Sequence, residues 1–423
     1  MSAASGEIAS DRTSPTHHAI DRVVRESAAR LLAFLAARSR DLAAAEDALA
    51  DACRIALETW PATGVPEKPE AWLLTAARRR LIDRARHHQV QEAAQPDLLM
   101  LTEEAQEMAS GEMAFPDERL KLLFICAHPA IDRGARTPLM LQVVLGLDAQ
   151  RIAAAFLVQP GTMGQRLSRA KVKIRDAGIG FDLPRAPDLP ARLDAVLDAI
   201  YAAYGSGWDD PLHGTGRHAG LAEDAIDLGR LLLQLMPNEP EVLGLLALML
   251  FSASRRLARR DENGAYVALA DQDVRRWSMP MIAEANQLLH QAGRAGTLGR
   301  CQLEAAIQSV HAARTITGMT DWAAIAGLYD GLVRIAPSIG ALVSRAAALA
   351  EARDAQAGWL ALQAIPAEMV AGYQPYWATA AHLLRRLQRF AEAGNAYARA
   401  IDLSKDPAQS AFLAAKLAAL RDE

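Results

Sequence analysis

The sequence predicts an all-α protein in three helical parts, and three observations predict it. Ala and Leu dominate the 423 residues, aromatic residues make up 5%, and runs of β-branched residues are scarce. Apolar positions recur at helical spacing through most of the chain. Clusters of Pro and Gly punctuate the periodic stretches at PATGVPEKPEA and DLPRAPDLP.

Taken in order, residues 1–18 read as a disordered lead. Residues 19–90 form a first compact block. Its opening helix places Val23, Val24, Ala28, Leu31, Leu32 and Leu35 on one face. A second helix, LAAAEDALADACRIALETW, turns Leu42, Leu49, Cys53, Ile55 and Leu57 inward and its acids outward. A loop rich in Pro and Gly, PATGVPEKPEA, precedes a third helix running from Glu70 through WLLTAARRRLIDRARHH. Residues 91–116 are a polar, acidic linker.

A second block spans residues 117–183. DERLKLLFICAHPAI is helical until Pro129, and RTPLMLQVVLG is a helix closed by Gly146. The stretch DAQRIAAAFLVQPGTMGQRLSRAKVKIR has the pattern of a helix-turn-helix. Asp148 is its N-cap, Ile152, Ala153 and Phe156 face the core, and Gln159-Pro160-Gly161 opens the second helix. Thr162, Gln165 and Arg166 then lie near the start of a recognition helix, where base edges are met. Arg169, Lys171 and Lys173 follow, suited to phosphate.

DLPRAPDLP at 182–190 marks the next boundary. From residue 191 to 423 the chain reads as helical pairs with breaks at LMPNEP, IAPS and SKDP. The last pairs carry small residues for helix crossings, at Gly327, Ala347, Ala380, Ala396 and Ala400, with Pro337 and Pro407 at the exits, a tetratricopeptide-like pattern. LGLLALMLF at 243–251 is too short to cross a membrane and reads as a buried helix.

The net charge of −4 says little about partners, but its distribution says more. Residues 78–88 hold five Arg against one Asp, and residues 166–175 hold five bases and no acid. Between them, residues 89–118 hold eight acids and no Lys or Arg. Two basic helices around an acidic spacer point to two contacts with a polyanion. Trp72 shares a segment with Arg78, Arg79, Arg80, Arg84 and Arg86, beside a loop able to wall off an unstacked base; core packing is the favoured role for Trp72 over stacking, and the Arg cluster is the stronger candidate for DNA.

Enzyme signals are missing. The ten His are scattered, Cys126-x-His128 is only a two-ligand fragment, and there is no Walker loop or Gly-x-Gly-x-x-Gly. GTGRHAG at 214–220 follows no strand and reads as a turn. No catalytic residue, metal site or cofactor is expected. Three widely spaced cysteines and an N-terminus without an apolar h-region fit a reducing cytoplasm.

These residues resemble a known family. The first block is similar to region 2 of the extracytoplasmic-function sigma factors, within the sigma-70 family of RNA polymerase. AEDALADACRIALETWP looks like the helix that grips the β′ coiled coil of core polymerase, which implies core-binding roles for Glu46, Asp47 and Asp51. PEAWLLTAARRRLIDRARHH looks like the helix that captures the melted −10 element, with Trp72, Arg78, Arg79, Arg80, Arg84 and Arg86 as DNA contacts. Residues 117–181 resemble region 4, which reads the −35 element and meets the β flap; Thr162, Gln165, Arg166, Arg169, Lys171 and Lys173 would carry that reading. LLLQLMPNEPEVLGLLALMLF and LLRRLQRFAEAGNAYARAI resemble the subgroup that adds a tetratricopeptide-like extension.

Two departures stand out. LDAQRIAAA has Gln150 and Arg151 where an acid is common, and ICAHPAI has Ala127 where a second Cys is usual. The resemblance implies promoter-specific initiation with core polymerase and promoter DNA as partners, and a protein or peptide ligand for the extension. Its rival is a helix-turn-helix regulator with a ligand- or peptide-sensing repeat domain, for which the polymerase-gripping helix would have no use. A repeat scaffold is a third reading, in which the basic helices would be accidental.

Overall fold

A computed structural model describes residues 15–87, 118–156, 158–208 and 220–420. The lead before Pro15, the acidic linker and most of GTGRHAG lie outside the described residues. Among those described, the chain is helical, with one isolated bridge between Arg260 and Tyr266 in place of any strand. It divides into two compact units, Met1–Leu228 and Gly229–Glu423.

In the first unit, α1 (Pro15–Ser39), α2 (Leu42–Thr63) and α3 (Pro69–His87) pack on one another. Helix α1 already begins within the expected lead. Asp41 caps α2 by accepting from the Ala44 amide at 3.0 Å. The buried face of α2 is an alanine stripe, Ala45, Ala48, Ala52 and Ala56, ending in Trp60. Leu42 and Leu49 are buried with it as expected, Cys53 and Ile55 are half-buried, and Leu57, expected inward, is 37% exposed. Gly64, at φ +83, ends α2 in a conformation that favours glycine.

Five further helices follow: α4 (Arg119–Cys126), α5 (Arg133–Val143), α6 (Ala149–Ala155), α7 (Pro160–Asp176) and α8 (Pro190–Trp208). Helix α8 packs on α4 and α5, with Leu193, Val196, Leu197 and Ile200 buried. The Arg192 guanidinium donates to the Phe124 carbonyl at 3.0 Å. Residues after 190 therefore complete the core of the block before them. Helix α9 (Leu221–Leu235) contains the boundary between the units.

The second unit continues with α10 (Pro240–Ala253), α11 (Met279–Gly293), α12 (Arg300–Ala312), α13 (Trp322–Ile335), α14 (Ile339–Ala352), α15 (Ala355–Gln363), α16 (Gln374–Arg386), α17 (Phe390–Leu403) and α18 (Pro407–Ala419). Each successive pair from α12 to α18 is in contact, while α10 packs on both α11 and α12. Every residue from Val242 to Phe251 is buried, as a helix apolar all round must be. No described helix is long and apolar enough to cross a membrane.

Two close crossings use small residues that were not expected there. Gly358 of α15 lies against Ala346 and Ala350 of α14: a Cβ at Gly358 would fall 2.5 Å from the Ala350 Cβ. Gly244 of α10 meets the start of α12, where an added Cβ would lie 2.7 Å from the Gln302 nitrogen. Ala380, Ala396 and Ala400 are buried as expected, whereas Gly327 has open space beside it and Ala347 is half-buried.

Candidate nucleic-acid interface

Two clefts in the first unit collect most of the residues expected to meet DNA. The first lies along α3. Gly64 turns the chain out of α2, and Pro69 starts α3, so Pro66, Glu67 and Lys68 form a wall beside it. Trp72, Thr75, Ala76, Arg79, Arg80 and Asp83 form the floor of a cleft of about 760 Å3. Trp72 is half-buried and packs edge-on against Trp60, with ring centroids 5.3 Å apart at 71°. Part of its surface therefore borders the cleft while the rest secures α3 to α2.

The six candidates on α3 do not act as one surface. Arg79, Arg80 and Arg84 are exposed, whereas Arg78 is 6% exposed, on the buried face with Leu74 and Leu81. The side chain of Arg86 lies outside the described residues. The exposed arginines also face the acids of α2. Arg84 Nη1 donates to Asp47 Oδ2 at 2.9 Å, and Arg80 Nε is 3.9 Å from Asp51 Oδ2. Arg54 pairs with Asp51 at 3.5 Å and with Glu58 at 2.6 Å, and its guanidinium is held more basic chiefly by Glu58.

The second cleft lies along α7, which follows the short helix α6. Asp148 caps α6 by accepting from the Arg151 amide at 2.8 Å. The Val158 amide donates to the Ala153 carbonyl at 3.0 Å and closes the turn. Ile152 and Ala153 are fully buried. Phe156, expected in the core, is 36% exposed, because it is the C-terminal cap of α6, where the chain already turns away. Helix α7 seats Met163, Leu167, Ala170 and Ile174 against its neighbours. Its outer face presents Thr162, Gln165, Arg166, Arg169 and Lys173 to a cleft of about 490 Å3, closed on the far side by Ala130, Ile131, Asp132 and Ala135. Arg166 Nη1 reaches the Gly134 carbonyl at 3.4 Å.

Lys171 is absent from that cleft. It projects from the opposite side of α7, where its ammonium lies 2.8 and 2.6 Å from the two carboxylate oxygens of Glu46. The side chains are 14% and 27% exposed. Beside them the Cys126 thiol is driven far up by burial, with smaller effects of Lys171 and Glu46. Arg38 Nη1 also reaches Glu118 Oε1 at 3.2 Å, and the Arg38 Cζ lies 4.0 Å from the centre of the Phe34 ring. Thr75 and Asp132 line the clefts without having been expected there, whereas Lys68 belongs to the loop expected to wall the first. Helical spacing from Trp72 brings Lys68 and Thr75 to its side, but Asp132 arrives from another helix. Among the described residues, no cluster of three or more metal-ligating side chains occurs.

Comparison with known proteins bears on both units. The family model "Sigma-70 region 2" matches residues 23–90, the span of α1–α3. A second, "Family of unknown function (DUF6596)", matches residues 192–293, from α8 to α11. An uncharacterized protein of Rhizobium meliloti (strain 1021) is 39% identical over 382 residues, covering 89% of this chain and 90% of that one. No solved structure matches.

Proposed function

We propose that this chain, which carries a sigma-70 region 2 and belongs over 89% of its length to the family of the Rhizobium meliloti protein, is an alternative sigma factor that directs promoter-specific initiation. A sigma-70 region 2 binds core RNA polymerase and promoter DNA. The observation that carries the finer reading is the coincidence of that region with the Trp72–Arg79–Arg80 cleft. Opening a duplex costs a few kcal/mol per base, and stacking on an aromatic side chain returns about 1–3 kcal/mol per base. Trp72 offers the aromatic surface, Arg79, Arg80 and Arg84 attract the backbone, and Asp47 and Asp51 meet a basic coiled coil of core polymerase. Arg78 supports α3 from its buried side.

The helix-turn-helix would read the −35 element. Thr162, Gln165 and Arg166 sit early in α7 for base edges, and Arg169 and Lys173 later for phosphates. The arrangement is that of the extracytoplasmic-function type, with region 4 also meeting the β flap. The helical pairs of the second unit form a tetratricopeptide-like extension that modulates initiation and takes a protein or peptide ligand. The protein performs no catalysis of its own and works in the cytoplasm beside polymerase.

Purified full-length chain is titrated with core RNA polymerase and then tested in run-off transcription on its own upstream DNA. Stoichiometric core binding and a discrete transcript are expected. Binding to duplex DNA without any affinity for core would overturn the reading in favour of a helix-turn-helix regulator.

A further inference from the structure

The cleft along α7 has two walls, and α8, which lines neither, is tied to both. One wall is the outer face of α7; the other runs from Ala130 to Ala135. Helix α8 packs on α5, whose first turn carries Ala135, with Val196, Leu197 and Ile200 buried. The His128 imidazole is lowered by burial first, then by the charges of Arg192 and Arg136. The first turn of α8, which carries Arg192, therefore lies near the segment that Arg136 pins by donating to the Pro129 and Ile131 carbonyls at 3.1 and 3.0 Å.

The other end of α8 is tied to α6. Arg151 Nη2 donates to the Ser206 carbonyl at 3.3 Å. Ser206 stands in the last turn of α8, where carbonyls have no partner within the helix and carry partial negative charge. A guanidinium is attracted to that position and a carboxylate is repelled from it, which gives a structural reason for Arg151 in a stretch where the resembled family commonly has an acid. Arg151 is half-buried, and its own amide is the one that Asp148 caps, so it is held at backbone and side chain alike. From Arg192 to Ser206, α8 rises about 21 Å at about 1.5 Å per residue, enough to reach from one wall to the helix that leads into the other.

We infer that α8 is a brace of the DNA-reading domain: it fixes the separation of the two walls of the α7 cleft, and Arg151 is the positioning residue through which it sets the angle of the reading helix. This rests on the reading of α6 and α7 as a helix-turn-helix. The match to the family of unknown function begins on α8, so the first helix of that segment serves sequence reading rather than the helical pairs that follow it. Base contacts need hydrogen-bond distances and angles, whereas attraction to phosphate falls off slowly with distance. Helix α6 joins α7 through a short turn closed by the Val158 amide, so a shift of α6 is passed to α7. Loosening the brace therefore costs sequence preference before it costs attraction to DNA.

Full-length wild type, Arg151→Ala and Arg151→Lys are compared in a binding-site library at several salt concentrations, with amide hydrogen exchange over 149–155. Arg151→Ala is expected to lower discrimination between the preferred site and a scrambled duplex about threefold, and to speed exchange over 149–155. Its salt slope is expected to match wild type, because Arg151 does not line the cleft. Arg151→Lys still carries a cation able to donate to the Ser206 carbonyl and is expected to recover wild-type discrimination. A uniform loss over all sequences, with the salt slope lowered by about one, would make Arg151 a phosphate contact and overturn the inference. Faster exchange with unchanged discrimination would overturn it too, leaving the contact a purely structural one, as would failure of Arg151→Lys to recover discrimination in a chain of unchanged helicity. A wild type without preference among sequences removes the helix-turn-helix reading itself, whereas a wild-type preference that survives in Arg151→Ala removes the brace alone.

Discussion

Two positions along an α-helix are 200° around it, and that angle separates Lys173 from Lys171. Thr162, Gln165, Arg166, Arg169 and Lys173 follow the spacing of one helical face and share a cleft; Lys171 faces the other way and pairs with Glu46. If Arg166 makes a bidentate contact to guanine, Arg166→Ala relaxes preference at one base by about 1–3 kcal/mol. Lys173→Ala weakens all sequences together and lowers the salt slope by about one. A binding-site library measured at several salt concentrations separates the two, and an unchanged preference in Arg166→Ala removes the base-reading role. Asp47→Arg is expected to lower core affinity with helicity intact, since the acid is exposed and its partner Arg84 is then repelled. Titration with core polymerase checks it, and unchanged affinity leaves Asp47 as ordinary surface charge. The stripe on α7 is legible in the sequence because it follows from period alone. The pairing of Lys171 is not, because its partner lies 125 positions away. Arg78 is an intermediate case: its basic neighbours suggest a surface cluster, but Leu74 and Leu81 mark its face as the inner one.

At the scale of elements, punctuation is well marked and packing is not. The breaks at LMPNEP, IAPS and SKDP fall between α9 and α10, α13 and α14, and α17 and α18, because Pro stops one helix and starts the next. Which small residue lies at a crossing depends on rotation and offset between helices, which composition does not encode. Gly244 illustrates this: a methyl there meets the backbone of Cys301 and Gln302, which has no rotamer to yield. Gly244→Ala is therefore expected to destabilise the second unit by about 1–3 kcal/mol, despite the better helix propensity of Ala. Denaturant titration checks it, and a stabilised variant would show that α10 and α12 separate easily. His311 of α12 gives this unit a pH dependence. Burial first, then Arg255 and Arg314, lowers its imidazole to about 4, and it packs edge-on against Trp322 at 5.4 Å. The unfolded imidazole binds its proton near pH 6.5, so the unfolded state gains protons first as pH falls. Stability is then fully present above about 6.5 and falls by about 2–3 kcal/mol towards pH 4. His311→Phe is expected to flatten this decline in a Tm-against-pH series, and an unaltered decline would place its origin elsewhere.

At the scale of the whole molecule, the three parts legible in the sequence do not coincide with its two compact units. DLPRAPDLP reads as a boundary because Pro and Asp interrupt the helical pattern, and locally it does lie between α7, which ends at Asp176, and α8, which starts at Pro190. The hydrophobic face of α8 nevertheless returns to α4 and α5, and the first turn of α9 meets Arg119. Such a return is invisible to periodicity, which reports that a face is apolar but not what it covers. It bears directly on how the extension is tested. Ending the chain after Leu183 removes α8 and exposes the partners of Leu193, Val196, Leu197 and Ile200, each worth about 2 kcal/mol of burial. That truncation is expected to lose cooperative unfolding, so its lost transcription would say nothing about regulation. Ending after Leu235 keeps α8 and α9 intact and should retain a single cooperative transition by circular dichroism. If the extension acts positively, this longer fragment still binds core polymerase but loses transcription from the cognate promoter. Raised transcription would instead make the second unit an inhibitor of initiation, and wild-type transcription from the same fragment would remove its regulatory role.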